Sequence, residues 1–174
     1  MDNKPAVIIG SARRDSDTKK LVEVLFPESD VKVLDLLDYK LDAYNYSGAY
    51  STEDQFLQIV EELLPHQQLI FATPVYWYSM SGLLKTFFDR LTDLVTVQKT
   101  IGRKLAGKET FMVAVGAENE LPLGFEKPFE LTSDYFDMTY RKGYYCQTKE
   151  IHIPTEGRAL FLKEIKRTQK ILKT

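Results

Sequence analysis

The chain has few cysteines and histidines, which limits disulfides and the metal sites that depend on thiolate or imidazole ligands. It contains one cysteine, Cys146, and a single thiol can neither form an internal disulfide nor hold an iron–sulfur cluster. Cys146 lies in an apolar stretch, so we expect a small core residue. The two histidines, His66 and His152, lie in unrelated segments without metal-ligand spacing, and we expect them to be structural or solvated. The sequence therefore predicts no metal site.

Long apolar runs and a strong excess of one charge are also missing. No apolar run approaches the ~18 residues that a membrane-spanning helix needs. Residues 1–5 do not have the basic-then-apolar pattern of a signal peptide. We therefore expect a cytoplasmic protein without membrane insertion. The formal net charge of −2 gives no general attraction to nucleic acid, so we expect no nucleic-acid partner.

The glycine-rich motifs of the common nucleotide-binding folds are absent as well. The sequence contains no G-x-G-x-x-G, which argues against a Rossmann dinucleotide site. It contains no G-x-x-x-x-G-K-[ST] either, which excludes the P-loop of NTPases. A phosphate site in this chain must therefore be built from a different kind of loop.

What the sequence does contain is a regular alternation of apolar runs and stretches with helical period. The predicted strands cover residues 5–9, 31–36, 68–73, 109–116 and 143–151. The predicted helices cover residues 17–26, 51–64, 83–95, 124–138 and 155–173. Alternating strands and helices favour an α/β fold, a parallel sheet covered on both faces. The length of 174 residues fits one domain, residues 1–174.

The loop at residues 10–18 joins the first predicted strand to the first predicted helix. A helix N-terminus offers free backbone N–H groups and a partial positive charge. The hydroxyls of Ser11, Ser16 and Thr18 add hydrogen-bond donors, and Arg13 can give a charge-assisted bond to an anion. The loop therefore has the composition of a phosphate cradle.

The same loop also has a simpler interpretation. Ser16 or Asp15 could be an N-cap without any ligand, and the arginines could be solvated. Asp15 and Asp17 would repel a phosphate if they pointed inward, so we expect both to face solvent. The loop alone does not decide between a cap and a phosphate site.

A second loop, residues 73–85, follows the apolar run at residues 69–72 and precedes a helix-like run. Ligands of open α/β sheets bind outside the carboxyl ends of the strands, where this loop lies. Its apolar and aromatic side chains suit a planar ring system. The residues expected to line the ring are Pro74, Val75, Tyr76, Trp77, Tyr78 and Ser79. Trp77 or Tyr78 could instead pack against a neighbouring subunit.

Together the two loops resemble those of the flavodoxin-like NAD(P)H-dependent FMN reductase and quinone reductase superfamily. That family carries G-S-x-R-x-x-S-x-[NST] after the first strand, matched here by Gly10, Ser11, Arg13, Ser16 and Thr18. It carries P-x-Y-x-x-S-x-x-G-x-L-K-x-x-x-D-R after the third strand, matched by Pro74, Tyr76, Ser79, Gly82, Leu84, Lys85, Asp89 and Arg90. The resemblance covers most of the chain and weakens after about residue 120.

The resemblance implies a three-layer αβα, flavodoxin-like fold with five parallel strands in the order 2-1-3-4-5. Ser11, Arg13, Ser16 and Thr18 would then hold the phosphate of FMN. The aromatic loop, residues 74–79, would line the isoalloxazine ring. Gly116 and Ala117, after the fourth strand, would close the other side of the ring.

The activity that the resemblance implies is electron transfer from NADPH or NADH, through FMN, to a small-molecule acceptor. Quinones, nitro or azo compounds, free flavin and ferric chelates all suit an open flavin face. Hydride transfer by a flavin needs little from the protein beyond binding and electrostatics, so we assign no catalytic side chain. Two alternatives remain: a flavodoxin-type electron carrier, and a non-catalytic flavin- or nucleotide-sensing module.

Three further segments allow two interpretations each. The third predicted helix is apolar over a wide arc, which indicates a homodimer or else a thick single core. Tyr44, Tyr46 and Tyr50 could form a substrate-side lid or pack a long loop onto the domain. The basic C-terminal stretch from Arg158 to Lys173 could bind an acidic partner or membrane surface, or simply complement its helix dipole.

Overall fold

The computed structural model describes residues 4–171. Five strands form one sheet, and all neighbouring strands are parallel. The strands are β1 (Ala6–Ile9), β2 (Lys32–Asp35), β3 (Gln68–Pro74), β4 (Glu109–Gly116) and β5 (Thr139–Gln147). Their order across the sheet is β2-β1-β3-β4-β5, which confirms the predicted 2-1-3-4-5 topology.

Seven α-helices lie between and after the strands in the described range. They are α1 (Asp17–Leu25), α2 (Phe56–Leu63), α3 (Gly82–Arg90), α4 (Thr92–Thr96), α5 (Lys99–Gly102), α6 (Lys127–Tyr135) and α7 (Glu156–Ile171). Short 3-10 turns cover Glu28–Asp30, Leu36–Asp38, Arg103–Leu105 and Thr148–Glu150. No helix among residues 4–171 is long and apolar enough to cross a bilayer.

The sheet separates two apolar cores because successive residues of a strand point to opposite faces. One core lies under α1 and α7 and includes Val7 and Phe161. The other lies under α2, α3, α4 and α6 and includes Ile8 and Phe87. Burial on both faces explains why the central strands read as continuous apolar runs rather than as alternating ones. The layers confirm the predicted αβα architecture.

The last strand begins and ends four residues before its predicted position. The prediction gave residues 143–151, whereas β5 covers Thr139–Gln147. The strand is at the sheet edge and pairs only with β4, so its first half carries exposed or half-buried polar residues that hide its period. Residues 148–150 turn away as a 3-10 helix and leave the sheet.

The third predicted helix, residues 83–95, is two helices, α3 and α4, which meet at Leu91. Most of its apolar side chains pack in the core of the domain, since Leu84, Phe87 and Leu94 are buried. Phe88 is half-buried and places its ring 5.1 Å from that of Phe71, centre to centre. A thick single core therefore accounts for most of the arc, and the homodimer stays a prediction.

Two other helices differ from the prediction by more than one residue. The helix predicted from residue 51 begins at Phe56, because Ser51 and Asp54 belong to a turn in which the amide of Asp54 donates to the Ser51 carbonyl. The helix predicted over residues 124–138 covers only Lys127–Tyr135, and Gly124 before it and Asp137 after it both have positive φ. Helix α7 was predicted to reach Lys173, which lies outside the described residues.

A buried ion network that the sequence analysis did not predict joins three segments. The guanidinium of Arg90 binds both carboxylate oxygens of Asp54, at 2.7 and 2.9 Å, and one of Asp93, at 2.8 Å. It also lies 3.5 Å from the centre of the Tyr50 ring, and the Tyr50 hydroxyl donates to Asp93 at 2.9 Å. Arg90 thereby fixes the loop after β2 onto α3 and α4, and Tyr50 packs rather than forming a lid.

The other tyrosines of this loop, the cysteine and the two histidines differ in burial. Tyr44 and Tyr46 contact each other with ring centres 5.1 Å apart, and Tyr46 is almost fully exposed. Cys146 and His66 are buried and His152 is exposed, as expected. No group of three or more His, Cys, Asp or Glu side chains within residues 4–171 could hold a metal ion.

Candidate functional site

Three loops meet at the carboxyl edge of the sheet: residues 10–16 after β1, residues 75–81 after β3, and residues 117–126 after β4. The first residues of the first two loops are hydrogen-bonded to neighbouring strands. The amide of Gly10 donates to the Ala72 carbonyl at 2.8 Å, and that of Val75 donates to the Val115 carbonyl at 2.8 Å. This edge includes the point between β1 and β3 where the strand order reverses, which is where open α/β sheets bind ligands.

The first two loops are fixed to each other by Ser81. Its hydroxyl donates to the carbonyl of Gly10 and accepts from the amide of Leu84 at 3.1 Å, which makes it the N-cap of α3. Close contact also requires a glycine at residue 10, since an added Cβ would lie 2.5 Å from the Cβ of Leu84. The sequence analysis missed Ser81, although a serine before Gly-Leu-Leu is an N-cap signal.

In the phosphate loop, the four predicted side chains have different surroundings. The hydroxyl of Ser16 accepts from the amide of Lys19 at 3.2 Å and caps α1, so the cap interpretation holds for this residue. The hydroxyls of Ser11 and Thr18 are fully buried and have no hydrogen-bond partner within the described part of the chain. Arg13 is exposed and forms no ion pair within that part.

The other charged residues of this loop are engaged elsewhere. Arg14 lies 2.5 Å from the carboxylate of Asp38 and donates to the Leu37 carbonyl at 3.2 Å. The hydrogen bond with Asp38 raises the pKa of Arg14. The side chain of Asp15 is 90% exposed and that of Asp17 is 30% exposed, and both lie within ion-pair distance of Lys20. Both aspartates therefore face outward, as expected.

These surroundings fit a phosphate group. A buried hydroxyl without a partner is costly, and each of the two at Ser11 and Thr18 could donate to a phosphate oxygen. Thr18 lies in the first turn of α1, where free amides favour an anion, and Ser11 lies in the loop that leads to this helix. The unpaired Arg13 supplies the positive charge that Arg14, bound to Asp38, does not.

The aromatic loop is a tight hairpin. The amides and carbonyls of Tyr76 and Ser79 exchange hydrogen bonds of 2.9 and 3.0 Å. Trp77 and Tyr78, between them, have φ of 46° and 65°, a left-handed conformation that bulky residues rarely adopt. Trp77 is 92% exposed and Tyr78 is 72% exposed. Both rings are therefore held out from the chain at some cost in backbone strain.

The other residues predicted to line the ring lie deeper in the site. Pro74 is the last residue of β3 and is buried, and Val75 is half-buried against the core. Tyr76 and Ser79 are exposed at the base of the hairpin. Residues 74–79 thus extend from the sheet edge out to solvent as one wall.

β4 ends at Gly116, and the third loop begins at the next residue, Ala117. An added Cβ at Gly116 would lie 2.9 Å from the hydroxyl of Tyr145 and 3.2 Å from the Cβ of Val75, so a side chain there would obstruct the edge. The hydroxyl of Tyr145 donates to the Glu118 carbonyl at 2.7 Å. Burial, and then the charge of Glu118, raise the pKa of Tyr145, which keeps this donor protonated.

The end of β5 supplies a second support that sequence reasoning missed. The side-chain Nε2 of Gln147 donates to Oδ1 of Asn119 at 2.7 Å and to the Ala117 carbonyl at 3.4 Å. No local pattern marks Gln147 or Tyr145, because their partners lie about thirty residues away. Between the third loop and the hairpin is an open cleft of about 660 Å³, lined by Tyr78 and residues 118–123.

Comparison with known proteins shows the family of this chain from sequence and a similar fold from structure. A sequence model of the NADPH-dependent FMN reductase family matches residues 4–123. YwqN of Bacillus subtilis, whose assigned name is that of an NAD(P)H-dependent FMN-containing oxidoreductase, is 31% identical over 150 residues, which are 81% of this chain and 82% of YwqN. An FMN-dependent NADPH-azoreductase of Staphylococcus aureus is 32% identical over 108 residues, 57% of either chain.

Among solved structures, the Trp repressor binding protein from Bacillus subtilis is similar to this chain in fold. The TM-score is 0.74 at 24% sequence identity, and the match covers 94% of this chain and 98% of the other. Because the match covers 94% of this chain, the likeness in fold extends past residue 123, where the family match ends.

Proposed function

Because this chain belongs to the NADPH-dependent FMN reductase family, we propose that it binds FMN at the carboxyl edge of its sheet and passes electrons from NAD(P)H to a small-molecule acceptor. The observation that carries the placement of FMN is the pair of buried, unpartnered hydroxyls of Ser11 and Thr18. Ser11 lies in the same loop as the unpaired Arg13, and Thr18 lies in the first turn of α1.

Each residue of the phosphate loop has a proposed task. Ser11 and Thr18 donate hydrogen bonds to phosphate oxygens, and Arg13 adds a charge-assisted bond. Ser16 holds the first turn of α1 and thereby orients the free amides. The anion is matched by the positive end of the helix dipole.

The ring system is proposed to lie between the wall formed by residues 74–79 and the turn at Gly116 and Ala117. FMN, when bound, supplies the hydride-accepting chemistry. The protein's part is to hold the ring, to orient it with backbone groups of the hairpin, and to exclude water with aromatic side chains. We assign no side chain to proton transfer.

The acceptor class that we propose is a small oxidised aromatic, a quinone or an azo compound. An open cleft of about 660 Å³ beside the hairpin suits such a molecule. The similarity to an azoreductase supports an azo compound as one candidate. The mild net charge and the arginine in the phosphate loop favour an enzyme over an acidic flavodoxin-type carrier. Since reduced pyridine nucleotide is the proposed donor, the proposed compartment is the cytoplasm.

We also propose a homodimer. An apolar groove of about 380 Å³ lies between α3–α4 and α6 and includes Val95 and Leu131. Leu131 and Tyr135 on its rim are more than half exposed, and a second copy would cover them. Light scattering at several protein concentrations, with Leu131→Glu as the disrupting variant, tests this part separately from the activity.

The decisive experiment for the function is anaerobic mixing of FMN-loaded protein with NADPH or NADH while flavin absorbance is followed. Rapid loss of the yellow colour in one-to-one proportion, and its return on adding a quinone, are the expected results. Bound FMN that stays oxidised would favour the sensor or carrier alternatives. A protein that does not retain FMN would contradict the assignment of both loops.

A further inference from the structure

The wall of the cleft beyond β4 is acidic. Glu118 and Glu120 line it, both are exposed, and neither forms an ion pair within residues 4–171. The other lining residues are Tyr78, Asn119, Leu121, Pro122 and Leu123, so no cationic side chain among the described residues lines the cleft. Two uncompensated negative charges therefore border a space that is otherwise apolar or neutral.

The loop that carries these charges is fixed rather than free to turn away. The carbonyl of Glu118 accepts from Tyr145 at 2.7 Å, and the side chain of Asn119 accepts from Gln147 at 2.7 Å. The Ala117 carbonyl accepts from Gln147 as well, at 3.4 Å. Because three successive loop residues are bound to the end of β5, the backbone that carries Glu118 and Glu120 stays beside the cleft.

The opposite side of the site carries the opposite charge. Arg13 in the phosphate loop is exposed and unpaired within residues 4–171, whereas Arg14 is paired with Asp38. The site therefore has a cationic end, suited to phosphate, and an anionic end at the cleft. A molecule entering the cleft meets the anionic end.

We propose that Glu118 and Glu120 select the electron acceptor by charge. The cleft takes neutral and cationic aromatic acceptors and disfavours anionic ones, such as sulfonated azo compounds. This inference rests on the proposed function, since the cleft is the acceptor's place beside the flavin. The reduced nicotinamide ring carries no charge, so the same carboxylates do not oppose the ring of the hydride donor.

The size of the effect follows from Coulomb's law at an exposed site. Two carboxylates several ångströms from a charged group, in surroundings close to water, change its binding by roughly threefold to tenfold. The effect has opposite signs for cation and anion, so we expect a ratio of affinities of roughly ten to one hundred at low salt. Because exposed charges are screened, the ratio should shrink towards one in about 1 M salt.

The test uses two azobenzene dyes of matched shape. Both carry a 4-dimethylamino group, and the opposite ring carries a sulfonate in one dye and a trimethylammonium group in the other. Their dissociation constants are measured by equilibrium dialysis against the oxidised, FMN-loaded protein without hydride donor. We expect tighter binding of the cation in the wild type, and a ratio near one in the variant E118Q/E120Q.

The matched control is E23Q/E61Q, which removes the same two charges from exposed positions on α1 and α2. This variant should keep the wild-type ratio. Equal binding of the two dyes by the wild type, or an unchanged ratio in E118Q/E120Q, would overturn the proposal. Steady-state kcat/KM for the two dyes with NADPH should follow the same order as the affinities.

Failure of this inference is distinguishable from failure of the proposed function. The function is tested by NADPH-dependent bleaching of the wild-type flavin and by turnover with 2-methyl-1,4-naphthoquinone, which is neutral. The dye affinities are measured without any donor. If the protein reduces the neutral quinone but binds both dyes equally, the charge selection is wrong and the proposed function stands.

Discussion

At the scale of single residues, two adjacent arginines are predicted to behave differently. Arg13 is unpaired in the described structure, whereas Arg14 binds Asp38. The change Arg13→Ala should therefore weaken FMN affinity by about 1.5–3 kcal/mol, the value of a charged hydrogen bond. The measurement is titration of the apoprotein with FMN, followed by the quenching of flavin fluorescence. Arg14→Ala is the matched control and should change the affinity much less; equal losses would contradict the assignment.

Removing the buried hydroxyl of Ser11 or Thr18 is predicted to stabilise the apoprotein and to weaken FMN binding. Without ligand they have no partner, so Ser11→Ala or Thr18→Val should raise the unfolding free energy of the apoprotein by about 1 kcal/mol. With FMN they are proposed donors, so the same changes should weaken its binding about tenfold. Urea unfolding and FMN titration measure the two effects. A variant that loses stability in the apoprotein would indicate a hydroxyl partner within the fold.

At the scale of elements, the hairpin at residues 76–79 exposes two aromatic rings, Trp77 and Tyr78, on a backbone strained by positive φ. Asparagine and glycine are the residues that its two left-handed positions favour. The double change W77N/Y78G should therefore raise the unfolding free energy of the apoprotein by about 1–2 kcal/mol. The control Tyr76→Asn removes an exposed ring at a residue without positive φ and should give no such gain. Thermal and urea unfolding would decide, and a fall in stability would mean that the rings pack in solution.

At the scale of the whole molecule, the Arg90 network links acid stability to the loop after β2. Burial acts to raise the pKa of Asp54, but the hydrogen bonds and charge of Arg90, together with hydrogen bonds from the amides of Asp42 and Phe56, outweigh it, and the net pKa is lowered. A lowered pKa in the folded state means that the stabilisation is complete above the unfolded value of about 4. It is lost as the pH falls through the lower, folded pKa.

The matching experiment follows urea unfolding between pH 7 and pH 2. The wild type should lose stability below about pH 4. Arg90→Met leaves Asp54 and Asp93 buried without their cation, so a loss of about 3–5 kcal/mol is expected at neutral pH. Since the buried Asp54 then gains by protonation, the variant should lose less stability on acidification than the wild type. Parallel pH profiles would show that the network contributes nothing at acid pH.

The predicted elements that the structure confirms are those with an unmistakable local pattern. The buried strands β1, β3 and β4 are continuous apolar runs, and α1 has both a cap and an apolar stripe. The predicted family, enzyme class and FMN with NAD(P)H are confirmed by the comparisons, because two motifs at matching positions carried them. The errors lie where patterns are weak: the edge strand β5, and the helix that breaks at Leu91.

By itself, the sequence determined the order of strands and helices and the two loops that follow β1 and β3, since these depend on residues that are neighbours along the chain. Only the tertiary structure decided which distant groups meet. Ser81 binds Gly10 across 71 positions, Arg90 binds Asp54 across 36, and Tyr145 binds Glu118 across 27. Such partners leave no periodic signal, because the sheet order and the packing of helices bring them together. For the same reason, the acidic cleft depends on the tertiary structure, which binds the third loop to the end of β5.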